Sequence, residues 1–297
     1  MKNPATDRAR GAGRLTSEAR RLSSALPPLL IEAERVAASV RQGTHGRRRA
    51  GQGESFWQFQ HYNPGDAASR IDWRQSARTD KLFVREREWE AAQSVYLWAD
   101  ASGSMRYSSQ RELPTKAERA RLLMLALAYL LMRGGEKAIW YGAEPVAVQS
   151  DAALARIAAE PESDLGLPQE IAVPRHAHMV LCGDFLAPPE ELEQLMRSLT
   201  AKHAKGALLH ILDPAEESLP FEGRIEMEGC EGEEPLLLPN AAALRAAYIT
   251  RMTEHKARLA RLAASAGWFY LRHETSEPPE TVLLQLYELL GENTRGF

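Results

Sequence analysis

The sequence predicts an α/β protein with a doubly wound, mostly parallel sheet, and three observations carry that reading. Apolar runs over 94–100, 178–184 and 206–213 are continuous rather than alternating, as expected of strands buried on both faces. Stretches of helical periodicity separate them, so strands and helices alternate along the chain. Each run ends on an aspartate, and two of these, Asp100 and Asp184, are the candidates for the strand ends where open α/β sheets gather ligands.

The elements follow in order. Residues 1–16 are polar, rich in Gly and Arg and without periodicity, and are expected to be a disordered tail. Residues 17–42 form a helical arm, broken or kinked at Pro27-Pro28. A basic, Gly-punctuated linker opens the next segment, 43–92, and the sheet domain occupies 93–297. After the strand 94–100, Thr115 caps a strongly apolar helix reaching Arg133, with Glu118 completing a capping box. The Met124–Met132 stripe in that helix reads as core. Lys137–Gly142 and Val146–Gln149 make a strand pair, and 152–159 a helix. Helix Pro189–Ala201 carries its prolines at the start, where they are tolerated. A hairpin of 224–227 with 235–238, a long helix 241–266, a strand 268–272 and a closing helix 280–290 complete the chain.

Composition sets the outer bounds. The 297 residues accommodate one α/β domain of about 200 residues plus an extension. The formal net charge of −3 argues against a general nucleic-acid binder, although residues 1–50 hold eleven Lys or Arg against four Asp or Glu. The run Glu216–Glu234 is strongly acidic and reads as a solvated loop. Two cysteines, Cys182 and Cys230, are too few for a disulfide framework, and Cys182 lies in an apolar strand. With no signal peptide at the basic N-terminus and no apolar stretch of about 20 residues, the expected location is the cytoplasm.

Asp100-Ala-Ser102-Gly-Ser104 is the most informative stretch. One carboxylate and two hydroxyls alternate directly after a buried strand, with no His or thiolate among them. An oxygen-only set suits a hard cation such as Mg2+ or Mn2+. The same residues also suit a helix N-cap, and both readings stand at this level. Asp184 would face Asp100 if the two strands were neighbours. Two carboxylates so close repel unless a cation or a proton lies between them.

These positions resemble the metal-ion-dependent adhesion site of von Willebrand factor A domains, a Rossmann-type fold. Asp100, Ser102 and Ser104 match its D-x-S-x-S, and Asp184 its Asp after the fourth strand. The family's mid-domain Thr has no counterpart, since no threonine lies between Tyr141 and Asp184; Ser163 stands where the resemblance places that hydroxyl. A narrower resemblance covers 46–105. Gly51-Gln-Gly53-Glu-Ser-Phe56, Tyr62-Asn-Pro-Gly65-Asp66, Arg70-Ile-Asp72-Trp73 and Ala77-Arg78 follow the signature of the bacterial domain-of-unknown-function family 58, with Gln60 where that signature has Arg. The resemblance implies a von Willebrand factor A-like domain with a β-rich insert at 43–92. It also implies a partner, a MoxR-type AAA+ ATPase, and with it an adaptor or co-chaperone role.

Within the signature, Asp66, Arg70, Asp72 and Arg78 alternate in sign, as do charge-assisted pairs that lock an irregular segment. The other reading has Arg70 and Arg78 presenting a surface to a partner or an anion. Arg47–Arg49 is expected to be a solvated linker or to dock an acidic partner rather than nucleic acid. The spacing of His176 and His178 puts both rings on one strand face, but no third ligand is near and a zinc site is not expected. Three function classes follow: a metal-dependent protein-interaction module, a scaffold with an empty site, and an enzyme. The chain lacks the D-x-D of haloacid-dehalogenase-type phosphatases, G-x-S-x-G, a Walker A motif and a strand-following G-x-G-x-x-G, so enzymatic activity is not expected.

Overall fold

A computed structural model describes residues 4–25, 50–51, 55–61, 76, 83–88, 94–142, 144–159, 166–168, 171–227 and 236–294. In chain order the strands are β1 (Ala50–Gly51), β2 (Ser55–His61), β3 (Phe83–Glu88), β4 (Ser94–Ala99), β5 (Lys137–Tyr141), β6 (Pro145–Val148), β7 (His178–Gly183), β8 (Lys205–Leu212), β9 (Ile225–Met227), β10 (Leu236–Leu238) and β11 (Phe269–Glu274). The α-helices are α1 (Pro4–Ala25), α2 (Lys116–Arg133), α3 (Asp151–Ala159), α4 (Pro189–Ala201), α5 (Pro214–Ser218), α6 (Ala241–Ser265) and α7 (Pro279–Thr294).

Six strands form the main sheet in the order β11-β8-β7-β4-β5-β6. All neighbours are parallel except the edge pair β5–β6. The chain therefore enters the sheet at β4, builds outward to β6, then crosses over to β7 and builds the other way. Its direction reverses between β4 and β7, and the crevice outside their carboxyl ends is the place such sheets offer to ligands. Asp100 and Asp184 follow directly on those two strands.

Both faces are covered, which explains the continuous apolar runs. Val95, Leu97, Val180, Cys182, Leu209 and Ile211 pack with α2, with Leu154 and Ile157 of α3 and with Leu283 of α7. The alternate residues Tyr96, Trp98, Met179, Leu181 and Leu208 pack against Leu195 and Leu199 of α4 and Leu259 of α6. Leu123, Met124, Leu125 and Leu127 of α2 have no exposed surface, and Met132 packs against the same core. A helix apolar all round belongs in such a buried layer, and each such side chain contributes roughly 1.5–3 kcal/mol by leaving water. Gly206, the second residue of β8, has no room for a side chain, since a Cβ there would lie 1.7 Å from the Met179 carbonyl oxygen of β7.

Several expectations are corrected. Helix α1 starts at Pro4, inside the stretch expected to be a disordered tail. Its anchor is Leu15, Ala19 and Leu22, spaced for one helix face and packed into the core, and Arg20 reaches Asp151 of α3 at 2.8 Å. Proline at the first turn is compatible with that start. His176 is not on a strand: it precedes β7 with φ 62° and stacks on His203, so the two histidines do not share a strand face. The acidic run beginning at Glu216 does not begin as a solvated loop. Glu216 lies in α5 with a side chain only 15% exposed.

Strands β1, β3 and β2 form an antiparallel sheet within 43–92, with a bulge between Phe56 and Gln58. The expected hairpin is β9 with β10. Arg47–Arg49, Arg70, Arg78, Ser163, Cys230 and the Pro27-Pro28 break lie outside the described residues. Among the described residues, no helix is long and apolar enough to cross a membrane.

Candidate functional site

The site begins where β4 ends. The Asp100 N–H still donates to the Cys182 carbonyl at 2.8 Å, and the Asp100 carboxylate Oδ1 then accepts the Ser102 N–H at 2.9 Å. This Asx-type turn ends the strand and leads into a short 3-10 turn at Gly103–Arg106, anchored by fully buried Met105. The Ser102 and Ser104 hydroxyls come within 3.2 Å of each other. One carboxylate and two hydroxyls thus converge on one turn, and Asp100 and Ser102 are buried.

Asp184 stands on the neighbouring strand, since Ala99 pairs with Cys182 across β4 and β7. It is 2% exposed. Its Oδ1 accepts the Leu186 N–H at 3.2 Å, while its backbone carbonyl accepts His255 Nε2–H at 3.2 Å. Arg258 donates to the other ring nitrogen of His255 at 3.2 Å, so both contacts require the neutral Nε2–H tautomer. Burial, the leading cause, lowers the His255 pKa in the same sense. Phe185, the next residue, has φ 54°; this sharp turn buries Phe185 and leaves Leu186 half exposed.

A cation does lie against Asp184, and it is Lys116. This first residue of α2 has no exposed surface, and its ammonium donates to Asp184 Oδ2 at 2.8 Å and to Glu216 Oε1 at 2.5 Å. Glu216 is itself fixed, because its Oε2 accepts the Asp213 N–H at 2.8 Å. Buried Asp213 caps α5 by accepting the Ala215 N–H at 2.8 Å and holds the loop before α2 through the Ser109 N–H at 2.9 Å. Burial alone would lower the Lys116 pKa, but the Asp184 and Glu216 carboxylates outweigh it and the ammonium is held above its ordinary value.

Asp100 lacks such a partner. It forms no ion pair among the described residues, and burial first, then the Asp184 charge, push its pKa up to about 6 against the Ser102 N–H, the Ser102 hydroxyl and more distant Lys116. Gly183 makes room for it: a Cβ there would lie 2.7 Å from the Asp100 Cβ and 2.8 Å from its Oδ2.

The residues fit a hard divalent cation at the Asp100 turn. A buried carboxylate short of positive charge stands beside two convergent hydroxyls, a donor set suited to Mg2+ or Mn2+. Of the expected ligands, Asp100, Ser102 and Ser104 come together on one turn and Asp184 stands on the adjacent strand end, engaged by Lys116; Ser163 lies outside the described residues. Among the described residues no group of three or more His, Cys, Asp or Glu side chains is arranged for a metal. Lys116, Asp213 and Glu216 were not singled out from the sequence. A signal existed: Asp213-Pro-Ala-Glu216 is a second capping box, and a lysine at the first position of a helix opposes the helix dipole unless carboxylates meet it.

Three chains in known structures resemble this one at low similarity. A BatB protein from Bacteroides thetaiotaomicron is 12% identical, with a TM-score of 0.41, over 67% of this chain and 99% of that one. An aerotolerance-related membrane protein from Bacteroides fragilis is 12% identical, with a TM-score of 0.40 over the same shares. The SpRpn10 VWA domain is 10% identical, with a TM-score of 0.34, over 65% of this chain and 94% of that one. In sequence, the uncharacterized proteins Rv1480 of Mycobacterium tuberculosis and Mb1516 of Mycobacterium bovis are each 26% identical over 266 residues, 83% of both chains. The family model described as "Protein of unknown function DUF58" matches residues 58–258, a span that runs from β2 into α6 and holds Asp100, Lys116, Asp184 and Glu216. That match covers more than half of the sequence, and the chain belongs to the DUF58 family.

Proposed function

We propose that the protein is a non-enzymatic, metal-dependent protein-interaction module. Asp100, Ser102 and Ser104 would hold a Mg2+ or Mn2+ ion, with Asp184 and Ser163 as the remaining candidate ligands. A bound divalent ion of this kind supplies an electrophilic position for an anionic oxygen. The chain's own part would be to fix the hydroxyls on one turn, keep one carboxylate dry and supply neutral hydroxyls as the other donors. A partner carboxylate then meets a shell that is not fully neutralised. The observation that carries this reading is the Asp100 turn, a buried carboxylate without an ion-pair partner among the described residues, beside two hydroxyls 3.2 Å apart.

The partner this reading favours is a MoxR-type AAA+ ATPase, with this chain as adaptor or co-chaperone, and Arg70 and Arg78 as a second contact surface. Support comes from the signature within 46–105 and from membership of the family. The test is capture of the cognate ATPase by the full chain in Mg2+ and in EDTA, with calorimetry of Mg2+ and Mn2+ alone. Wild type is expected to bind metal and capture the ATPase in Mg2+ only, and Asp100→Ala to do neither. Capture that persists in EDTA and in Asp100→Ala overturns the metal-dependent reading. The second reading, a scaffold whose site holds no metal, is favoured by one observation: Lys116 already neutralises Asp184.

A further inference from the structure

Lys116 is an odd residue to find fully buried at the first position of a helix. The helix dipole disfavours a cation there, and removing an ammonium from water costs several kcal/mol before any partner is met. One carboxylate would suffice to pair it. Lys116 has two, from different elements: Asp184 after β7 and Glu216 in α5, at 2.8 Å and 2.5 Å. The two are braced alike, Glu216 by the Asp213 N–H on Oε2 and Asp184 by the Leu186 N–H on Oδ1, and each gives its other oxygen to Lys116. They differ in place: Asp184 ends the strand beside Asp100 and its charge is felt there, whereas Glu216 belongs to α5.

We infer that Lys116 is a tethered competitor that sets the affinity and occupancy of the cation site: its ammonium holds Asp184 when no divalent ion is present and is retained by Glu216 when one arrives. This rests on the metal-dependent reading above. A divalent ion at the Asp100 turn draws on the negative charge of Asp184, the same charge the ammonium uses. An ammonium that must yield ground lowers the affinity for the ion. Glu216 keeps that cost small by giving the ammonium a second carboxylate to rest on, so no buried charge is stranded. Metal affinity is therefore low for the free protein, and a partner carboxylate, by adding negative charge to the shell, favours occupancy. Lys116 acts through Asp184 and is a positioning residue.

The experiment measures Mn2+ binding to the full chain by electron paramagnetic resonance and calorimetry, and thermal melts with and without Mn2+, for wild type, Lys116→Met, Lys116→Arg and Glu216→Gln. Two opposite shifts are expected. Lys116→Met binds Mn2+ tighter by on the order of tenfold to a hundredfold, the scale of one unit charge removed a few ångströms away in a partly polar interior, and its melting temperature rises more with Mn2+ than that of wild type. Glu216→Gln, which leaves the ammonium committed to Asp184, binds several-fold more weakly. Lys116→Arg, which keeps the charge, stays within about threefold of wild type on the same electrostatic argument. A Lys116→Met chain that needs Mn2+ to fold supports the inference as well, and the same chain failing to fold in millimolar Mn2+ counts against it.

The outcomes separate this inference from the reading it rests on. Wild type that binds Mn2+ while Lys116→Met binds equally or more weakly overturns the competitor and leaves the metal site standing. Wild type that does not bind while Lys116→Met does supports the competitor and overturns metal dependence of the native chain. Folded variants that all fail to bind overturn both.

Discussion

Two carboxylates at the ends of adjacent strands, equally buried, have been given opposite electrostatic treatment. Asp184 is met by an internal ammonium, a backbone N–H and a second carboxylate that shares the ammonium. Asp100, 5% exposed, is met among the described residues by the N–H and hydroxyl of Ser102 and by no cation at ion-pair distance. The first cluster is closed and contributes to the fold. The second holds a charge that no cation among the described residues meets directly, and that is the feature on which the proposed metal site rests. Burial alone therefore does not distinguish the two acids; the counter-ion does.

The sharpest way to break the contrast is to remove the ammonium. Lys116→Met leaves Asp184 and Glu216 buried without their cation, and stranding a buried charge in this way costs about 3–5 kcal/mol. Asp100→Asn removes an unneutralised charge and should leave the metal-free protein as stable as wild type at neutral pH, or more so. Urea unfolding of both variants in EDTA measures the difference. Equal losses would mean that the two acids contribute alike and that the counter-ion does not set them apart.

A subtler separation comes from pH. The Asp100 carboxyl titrates near 6 in the folded chain against 3.8 for an ordinary aspartate, so the fold binds that proton more tightly than the unfolded chain does. The stabilising proton is bound below the ordinary value and lost as pH rises towards 6, and metal-free stability falls by about 3 kcal/mol across that window. His273 acts in the opposite sense, since burial lowers it from 6.5 to about 4 and its contribution is lost as pH falls through that range. The quantity to read is therefore the difference between wild type and Asp100→Asn, measured by urea unfolding at successive pH values in EDTA. Curves that run parallel from pH 4 to 7 would show that the Asp100 charge is already compensated.

How much of this was legible follows the same division. The sheet was readable because β4, β7 and β8 are buried on both faces and so lack polar alternation, and α2 because Thr115 and Glu118 stand three residues apart. Asp100 and Asp184 were readable because each directly follows such a run. Lys116 and Glu216 were not, because their partnership spans 100 residues and the contact with Asp184 spans 68. Apolar periodicity says which face of a helix turns inward but not which charged residue at its tip goes with it. The start of helix α1 was placed too late for a related reason: two glycines and several arginines before Thr16 hide a helix whose value lies in the core that Leu15, Ala19 and Leu22 meet. Tertiary burial overrode a weak local preference there.

The smallest expected effect tests how the closed cluster is held. Thr115 accepts the Glu118 N–H at 3.2 Å, and Glu118 in return accepts the Thr115 N–H at 2.9 Å, so α2 begins at Lys116 and the ammonium is delivered to a fixed point. Thr115→Ala removes the cap from a half-buried position and costs about 1 kcal/mol. Thr115→Ser keeps the acceptor hydroxyl and should retain most of that stability. The Asp100 carboxylate bonds Ser102, and the cap is a bond pair between Thr115 and Glu118, so the pH difference assigned to Asp100 should survive Thr115→Ala. Native-state hydrogen exchange offers the local reading: protection falls at the first turn of α2 and stays at wild-type values for the Ser102 N–H that the Asp100 carboxylate accepts. If the Ser102 N–H loses protection together with the first turn of α2, the two acids belong to one cooperative unit rather than two.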